Sequence, residues 1–395
     1  MRLLLVFLLA GLGGRPADSA DDFAWSGPVG SSKPFLTRTR SGDLLLTWFE
    51  PRPEKRYALR MTRASAGRWA EPRTIAEGDR FFVNWADFPS ITETSAGTLV
   101  VHWLEKTAEK AYAYHVRLAR SLDGGRSWTA PVTAHADRSP GEHGFVAMVP
   151  NDDATVSVAW LDGGAMAAGP EGAMAVRTAT LGADGVVRDE TVLDARTCEC
   201  CQVAMARARA GLVAVYRDRS PEEVRDIAVV RQVGGRWLEP RLVAAENWVW
   251  KACPVNGPSI AARGDEVGVA WFTGAGGTNR VKVAFSTDGG ATFAEPIGID
   301  EGNPLGRVHF QITGPGQGVV VWLEAARDGG VWRLRRVSAG APPGRPITVA
   351  ATSRARDAGF PRTALVGSDL FVAWTEPGPG LDQSRVRVSR VPVPR

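Results

Sequence analysis

Along the chain, short apolar strands and turn-forming residues alternate in a pattern that returns seven times. Each copy has an apolar first strand, a turn at Gly or small residues, and an alternating second strand that ends in an aromatic, usually with an acid two positions later. The copies run from KPFLTRTRSGDLLLTWFE, FPSITETSAGTLVVHWLE and GFVAMVPNDDATVSVAWLD through VAMARARAGLVAVYRD and GPSIAARGDEVGVAWFT to VHFQITGPGQGVVVWLE and GFPRTALVGSDLFVAWTE. Their aromatics are Trp48, Trp103, Trp160, Tyr216, Trp271, Trp322 and Trp374, spaced 51 to 57 residues apart. Alternation over Leu44 to Trp48 and Val267 to Trp271 fits half-buried or buried strands. Third strands are clearest at Ala113 to Ala119 and Arg280 to Phe285.

A fixed period of this size marks a radial repeat. Four short strands in about fifty residues make an all-β fold, a β-propeller of four-stranded blades. Seven copies predict seven blades. The last copy has only Arg385 to Val388 after Trp374, so its outer strand must come from elsewhere. Phe23 to Val29 has the right pattern, and a ring closed by this N-terminal strand protects the edges that an open end would expose.

Composition adds a compartment and removes a partner class. Residues 1–20 read as a signal peptide: Arg2, an apolar run from Leu3 to Leu12 too short for a stable span, then small residues around Ala17 to Ala20. Residues 21–395 form a single propeller domain, expected in the periplasm or outside the cell, with no transmembrane anchor. The formal net charge is +4, carried almost wholly by Arg, and no basic run tracks a nucleic-acid backbone. Nucleic acid is therefore excluded as a partner.

Two turns between third and fourth strands carry a sharper motif. Ser121, Asp123, Gly125 and Trp128 fit S-x-D-x-G-x-x-W, and Ser286, Asp288, Gly290 and Phe293 repeat it with Phe in the last place. The Asp accepts backbone N–H groups across the turn, Gly supplies positive φ, and the aromatic packs beneath. This pattern resembles the Asp-box (BNR) repeat of the sialidase superfamily, over essentially the whole mature chain. The resemblance implies six blades, where the repeat count favours seven. It also implies an Arg triad for a substrate carboxylate, an Asp acid, and a Tyr nucleophile activated by Glu. Ser32 stands where the family's F-R-I-P Arg would open the first blade, and no Tyr follows Tyr216. Both departures argue against the family's turnover.

In a propeller, one face carries the residues just before each first strand and just after each aromatic. The first group includes Trp85, Asp87, His143, Cys198 to Cys201, Cys253, His309 and Asp357. The second is Glu50, Glu105, Asp162, Asp218, Glu324 and Glu376, broken only by Thr273. Most of these acids are expected to end strands in solvent or pair with Arg. A glycoside-cleaving carboxylate pair, if present, would come from Asp87, Asp162, Asp218 or Glu324. Trp85, His143, Arg217, Arg219 and Arg225 are candidates for holding a glycan or small anion.

The four cysteines depart most from a plain propeller. Cys198, Cys200 and Cys201 precede the fourth inner strand and Cys253 the fifth, so all four should meet near the channel mouth. An exported chain favours disulfides. The spacing equally suits a copper or zinc site, with His309, or less so His143, adding a nitrogen. A labile redox disulfide ranks behind both. The expected function is ligand binding, of glycan or metal, beside this cluster. The alternatives are a glycoside hydrolase acting on extracellular glycans and a protein-docking scaffold.

Overall fold

The computed structural model describes residues 24–393; the expected signal peptide lies outside them. Seven antiparallel sheets, each of four strands or slightly more, stand around a central channel. Blade 1 begins with Ser32–Arg38, Leu44–Arg52 and Arg56–Ser65, blade 2 with Ser90–Glu93, Leu99–Lys106 and Tyr114–Ser121, and blade 3 is built from His143–Pro150, Val156–Asp162, Ala175–Leu181 and Val187–Asp194. Blade 4 begins with Ala204–Ala208, Gly211–Arg217 and Ile227–Val233, and blade 5 with Ser259–Arg263, Glu266–Thr273 and Arg280–Ser286. The seventh sheet is completed by Trp25–Ser26, which pairs with Arg385–Pro392 in the register Trp25 to Val388. The ring is thus closed by the N-terminal strand, and seven blades replace the six that the family resemblance implied.

Each repeated aromatic is a wedge between its own blade and the one before it. Trp48 packs with Ala364 and Phe371, Trp160 with Val100 and Leu104, Trp271 with Val213 and Val215, and Trp322 with Ala270 and Phe272. Tyr216 sits with Ala159 and Leu161, and Trp374 with Val319 and Val321. A ring of this size buries roughly 150–250 Å², worth at most about 5 kcal/mol per seam. One large aromatic per repeat therefore accounts for much of the cohesion between blades.

A buried indole N–H needs an acceptor. In three blades the acid two positions on supplies it: Trp48 to Glu50 at 2.8 Å, Trp160 to Asp162 at 3.0 Å and Trp322 to Glu324 at 2.6 Å; Glu376 after Trp374 instead pairs with Arg387. Where Thr273 breaks the acid pattern, Glu246 reaches in from the preceding connection and accepts from Trp271 at 2.7 Å. The Tyr216 hydroxyl turns to Asp194 at 2.6 Å. Glu50 and Asp162 pair with Arg52 and Arg177 as expected, yet they and Glu324 are buried rather than in solvent.

Candidate functional site at the channel mouth

Up-and-down connectivity puts the Ser–Asp–Gly turns on one face and the cysteine-bearing connections on the other. In the first such turn Asp123 Oδ1 accepts the backbone N–H of Arg126 and of Ser127, each at 2.9 Å, and the Ser127 hydroxyl donates to Oδ2 at 2.6 Å. Asp288 repeats this with Ala291 and Thr292. These residues are occupied in holding hairpins.

On the opposite face, the segment from Thr197 crosses into blade 4 while 253–258 crosses into blade 5. The two run close because Gly257 lies against the Gln202 backbone, where a Cβ would come within 2.3 Å of the Gln202 carbonyl oxygen. The Gln202 side chain completes the join, donating to the Ala86 carbonyl at 2.7 Å and accepting from Gly257 N–H at 3.0 Å. This contact brings the thiols together. Cys198 Sγ lies 3.3 Å from Cys201 Sγ and 3.7 Å from Cys200 Sγ, and all three sulfurs fall within 4.8 Å of one another. Cys253 comes in from the next blade on the Cys200 side. Cys198 and Cys201 are buried and Cys253 is exposed, so the cluster opens to solvent through blade 5. None of the four is in a disulfide.

Charge around the sulfurs favours a thiolate. Arg225, 3% exposed, donates to Cys198 Sγ at 3.1 Å and to Glu199 at 3.2 Å, and Asn256 N–H donates to Cys201 Sγ at 3.4 Å. Hydrogen bonds from the Cys200 and Cys201 thiols, with the Arg217 charge nearby, hold Cys198 well below the ordinary thiol range despite its burial. Cys200 is pushed up by its bond to Cys198, and Cys201 by burial.

The three candidate arginines of blade 4 are spent on this architecture. Arg217 is buried and donates to the carbonyls of Asn256, Arg225 and Phe272, with its guanidinium 4.8 Å from the Trp248 ring centre. Arg219 pairs with Glu199 and Glu223, and Arg225 with Glu223 at 2.8 Å. Asp226, absent from the sequence candidates, accepts the N–H groups of Glu246, Asn247 and Trp248 at 2.8 to 3.0 Å. It fixes one wall of a cleft of about 620 Å³ lined by Trp248, Trp250, Cys253, Asn256 and Phe272.

The remaining candidates lie elsewhere on this face. His309 is not among the thiols; it bonds Thr363 Oγ1 at 2.7 Å and lines the central channel with Arg362, Gln202 and Ser259. His143 sits in the seam of blades 2 and 3, beside Asp137 and Asp162. Trp85 stacks on Phe360 under the guanidinium groups of Arg307 and Arg356. Asp87 is buried beside Arg362 and accepts Phe145 N–H at 2.8 Å; burial pushes its carboxyl up to about 7. Its carboxylate neighbour is Glu142, which accepts the Tyr114 hydroxyl at 2.6 Å, a pair the sequence did not signal. Asp218 is raised to about 6 by burial, and Glu324 is committed to Trp322 and Asn303 N–H.

Fold and site define a seven-bladed β-propeller with a cluster of three thiols, Cys253 beside it, at the mouth of its channel. No family model and no curated protein matches the sequence. Among solved structures it is similar to the polysaccharide lyase Uly1, with a TM-score of 0.56 at 9% identity over 97% of this chain and 94% of that one. It is also similar to a protein of unknown function from Dyadobacter fermentans DSM 18053, with a TM-score of 0.52 at 14% identity over 93% and 95%. The Hadza microbial sialidase Hz136 overlaps with a TM-score of 0.47 at 16% identity, over 74% of this chain and 63% of the sialidase. Identities this low speak to fold alone.

Proposed function

We propose that the protein is an exported propeller that binds a thiophilic metal ion, copper(I) or zinc(II), through Cys198, Cys200, Cys201 and Cys253, and that it does not turn over sialosides. The observation that carries this reading is the convergence of three sulfurs from one short run, with the fourth thiol arriving from the next blade. Metal–sulfur bonds of about 2.3 Å in a tetrahedron separate sulfurs by about 3.8 Å, and three thiolates alone suit copper(I). The separations of 3.3 and 3.7 Å lie close to that edge. Arg225 and Arg217 offset the negative charge that several thiolates would bring. Exposed Cys253 offers the way in from solvent. The test is native mass spectrometry of the protein purified from its export compartment in metal-free buffer. One copper or zinc per chain, lost in Cys201→Ser, is the expected result. A mass lower by two or four hydrogens with no metal would make the cluster a disulfide staple.

One observation favours a second reading, a small anionic glycan in the channel mouth. Lys33, Arg307 and Arg362 are cations whose burial lowers their pKa, Arg307 to about 10 and Arg362 to about 9. An anion placed among them would compensate their buried positive charge, and the platform of Trp85 offers a ring for a sugar face. Likeness of fold to a polysaccharide lyase is in keeping with such a ligand.

A further inference from the structure

Five histidines occur in the chain, and three of them, His115, His135 and His143, meet in the seam between blades 2 and 3. The His143 ring is fully buried. Its Nδ1 faces the carbonyl oxygens of Tyr114 at 3.2 Å and Gly141 at 3.3 Å, which accept only, so Nδ1 carries the hydrogen. Nε2 points to the other side, within hydrogen-bond distance of a carboxylate. There it meets Asp137 Oδ2 at 3.1 Å and Asp162 Oδ2 at 3.7 Å. The three atoms lie within 4.8 Å of one another. We infer that His143, Asp137 and Asp162 form a second cation site, of the zinc(II) class, distinct from the cysteine cluster in both blade and donor chemistry.

Three features fit this assignment. Nitrogen and oxygen donors about 2.1 Å from a tetrahedral metal stand about 3.4 Å apart, and the separations of 3.1 and 3.7 Å bracket that value. The outer contacts have the form that orients metal ligands. His143 Nδ1–H is held by carbonyls. Asp162 accepts Trp160 Nε1–H at 3.0 Å and Gly164 N–H at 3.1 Å, and Asp137 accepts Ser139 N–H at 2.8 Å and the Ser139 hydroxyl at 2.7 Å. The His135 ring lies flat on His143, its centre 4.0 Å away, and fixes the ring plane. Third, the backbone is cleared around the carboxylates: a Cβ on Gly164 would fall 2.2 Å from Asp137 Oδ2 and 3.1 Å from Asp162 Oδ1. Asp137, with a side chain 32% exposed, leaves one side open to water or a ligand.

Cobalt(II) reads the two sites separately, because only thiolate ligands give a near-ultraviolet sulfur-to-metal charge-transfer band. Full-length protein carrying Cys201→Ser is titrated with cobalt(II), followed by the visible d–d bands. One ion should bind without the charge-transfer band. Asp137→Asn, at a partly exposed position, should weaken that binding by about a hundredfold, comparable to the largest losses from outer-contact variants, with the far-ultraviolet circular dichroism unchanged. His143→Gln should abolish it. Absence of a d–d signal in the Cys201→Ser protein, or a titration unmoved by Asp137→Asn, would overturn the site and leave a buried His–Asp ion pair. Cobalt held by the three thiols that remain in Cys201→Ser would carry the charge-transfer band, so only binding without that band is counted for this site.

Discussion

At the scale of single residues, the acid that follows Trp48, Trp160 or Trp322 serves as an indole acceptor. Glu324 is 3% exposed and accepts both Trp322 Nε1–H at 2.6 Å and Asn303 N–H at 2.6 Å. Glu324→Ala strands two buried donors at about 1–3 kcal/mol each, so a loss near 3 kcal/mol in urea unfolding is expected. Glu324→Gln keeps one of the two acceptor oxygens and should recover only part of it; equal losses in the two variants would mean that charge, not the acceptor, matters. Asp87 makes a different prediction. Its folded pKa is about 7, raised chiefly by burial, against about 3.9 in an unfolded chain. Between about pH 4 and 7 the folded chain therefore holds a proton that the unfolded chain has lost, and this group's contribution falls as pH rises through that window. Asp87→Asn, which still offers an oxygen to Phe145 N–H, should lack that slope. Its stability relative to wild type should rise from pH 4 to pH 7 and level off above. A difference that stays constant with pH would place the Asp87 pKa in the ordinary range.

At the scale of elements, the hairpin turns were the most legible part of the chain. Asp123 and Asp288 make the backbone bonds their motif demands, because every partner lies within four residues. The glycines of such a turn should differ in a way the motif does not show. Gly124 and Gly125 both have positive φ, 72° and 85°. A Cβ at Gly124 meets nothing within 4 Å, whereas at Gly125 it comes 2.7 Å from Met61 Sδ of blade 1. Gly124→Ala should cost only left-handed strain, about 1 kcal/mol. Gly125→Ala should cost about 1–2 kcal/mol more, and adding Met61→Ala should cancel the excess in a double-mutant cycle. Contacts between blades were the hidden part. The repeat located Cys198 and Cys253 at equivalent positions, but Arg225 bonding Cys198, Asp226 capping the 246–248 segment and Asp137 facing His143 all depend on where a loop folds back. No period encodes that. The same limit hid Glu246 as a substitute acceptor for Trp271, since it stands 25 residues away in a segment without pattern.

At the scale of the whole molecule, the ring exists because its two ends meet in blade 7. Trp25 and Ser26 pair with Val388 and Arg387, Gly27 N–H donates to the Val386 carbonyl at 2.8 Å, and Arg387 donates to Ser26 Oγ at 2.7 Å. The Trp25 ring then crosses the seam and packs on blade 1, with centres 4.8 Å from Trp48 and 5.9 Å from Trp69. Few backbone bonds hold this strand, so the aromatic contact carries most of the clasp. Trp25→Ala should lower unfolding stability by about 3 kcal/mol, the lower end for a Trp truncation because the site is only half-buried. Opening the clasp turns a ring into a linear array with two ends, and in such arrays each unit is stabilised chiefly by its neighbours. Hydrogen exchange should therefore rise most in Arg385–Pro392 and in Leu44–Arg52, and least in blade 4 on the far side. Exchange raised equally in all blades would mean that the ring opens only as a unit, and that the N-terminal strand governs the thiol cluster as much as its own seam.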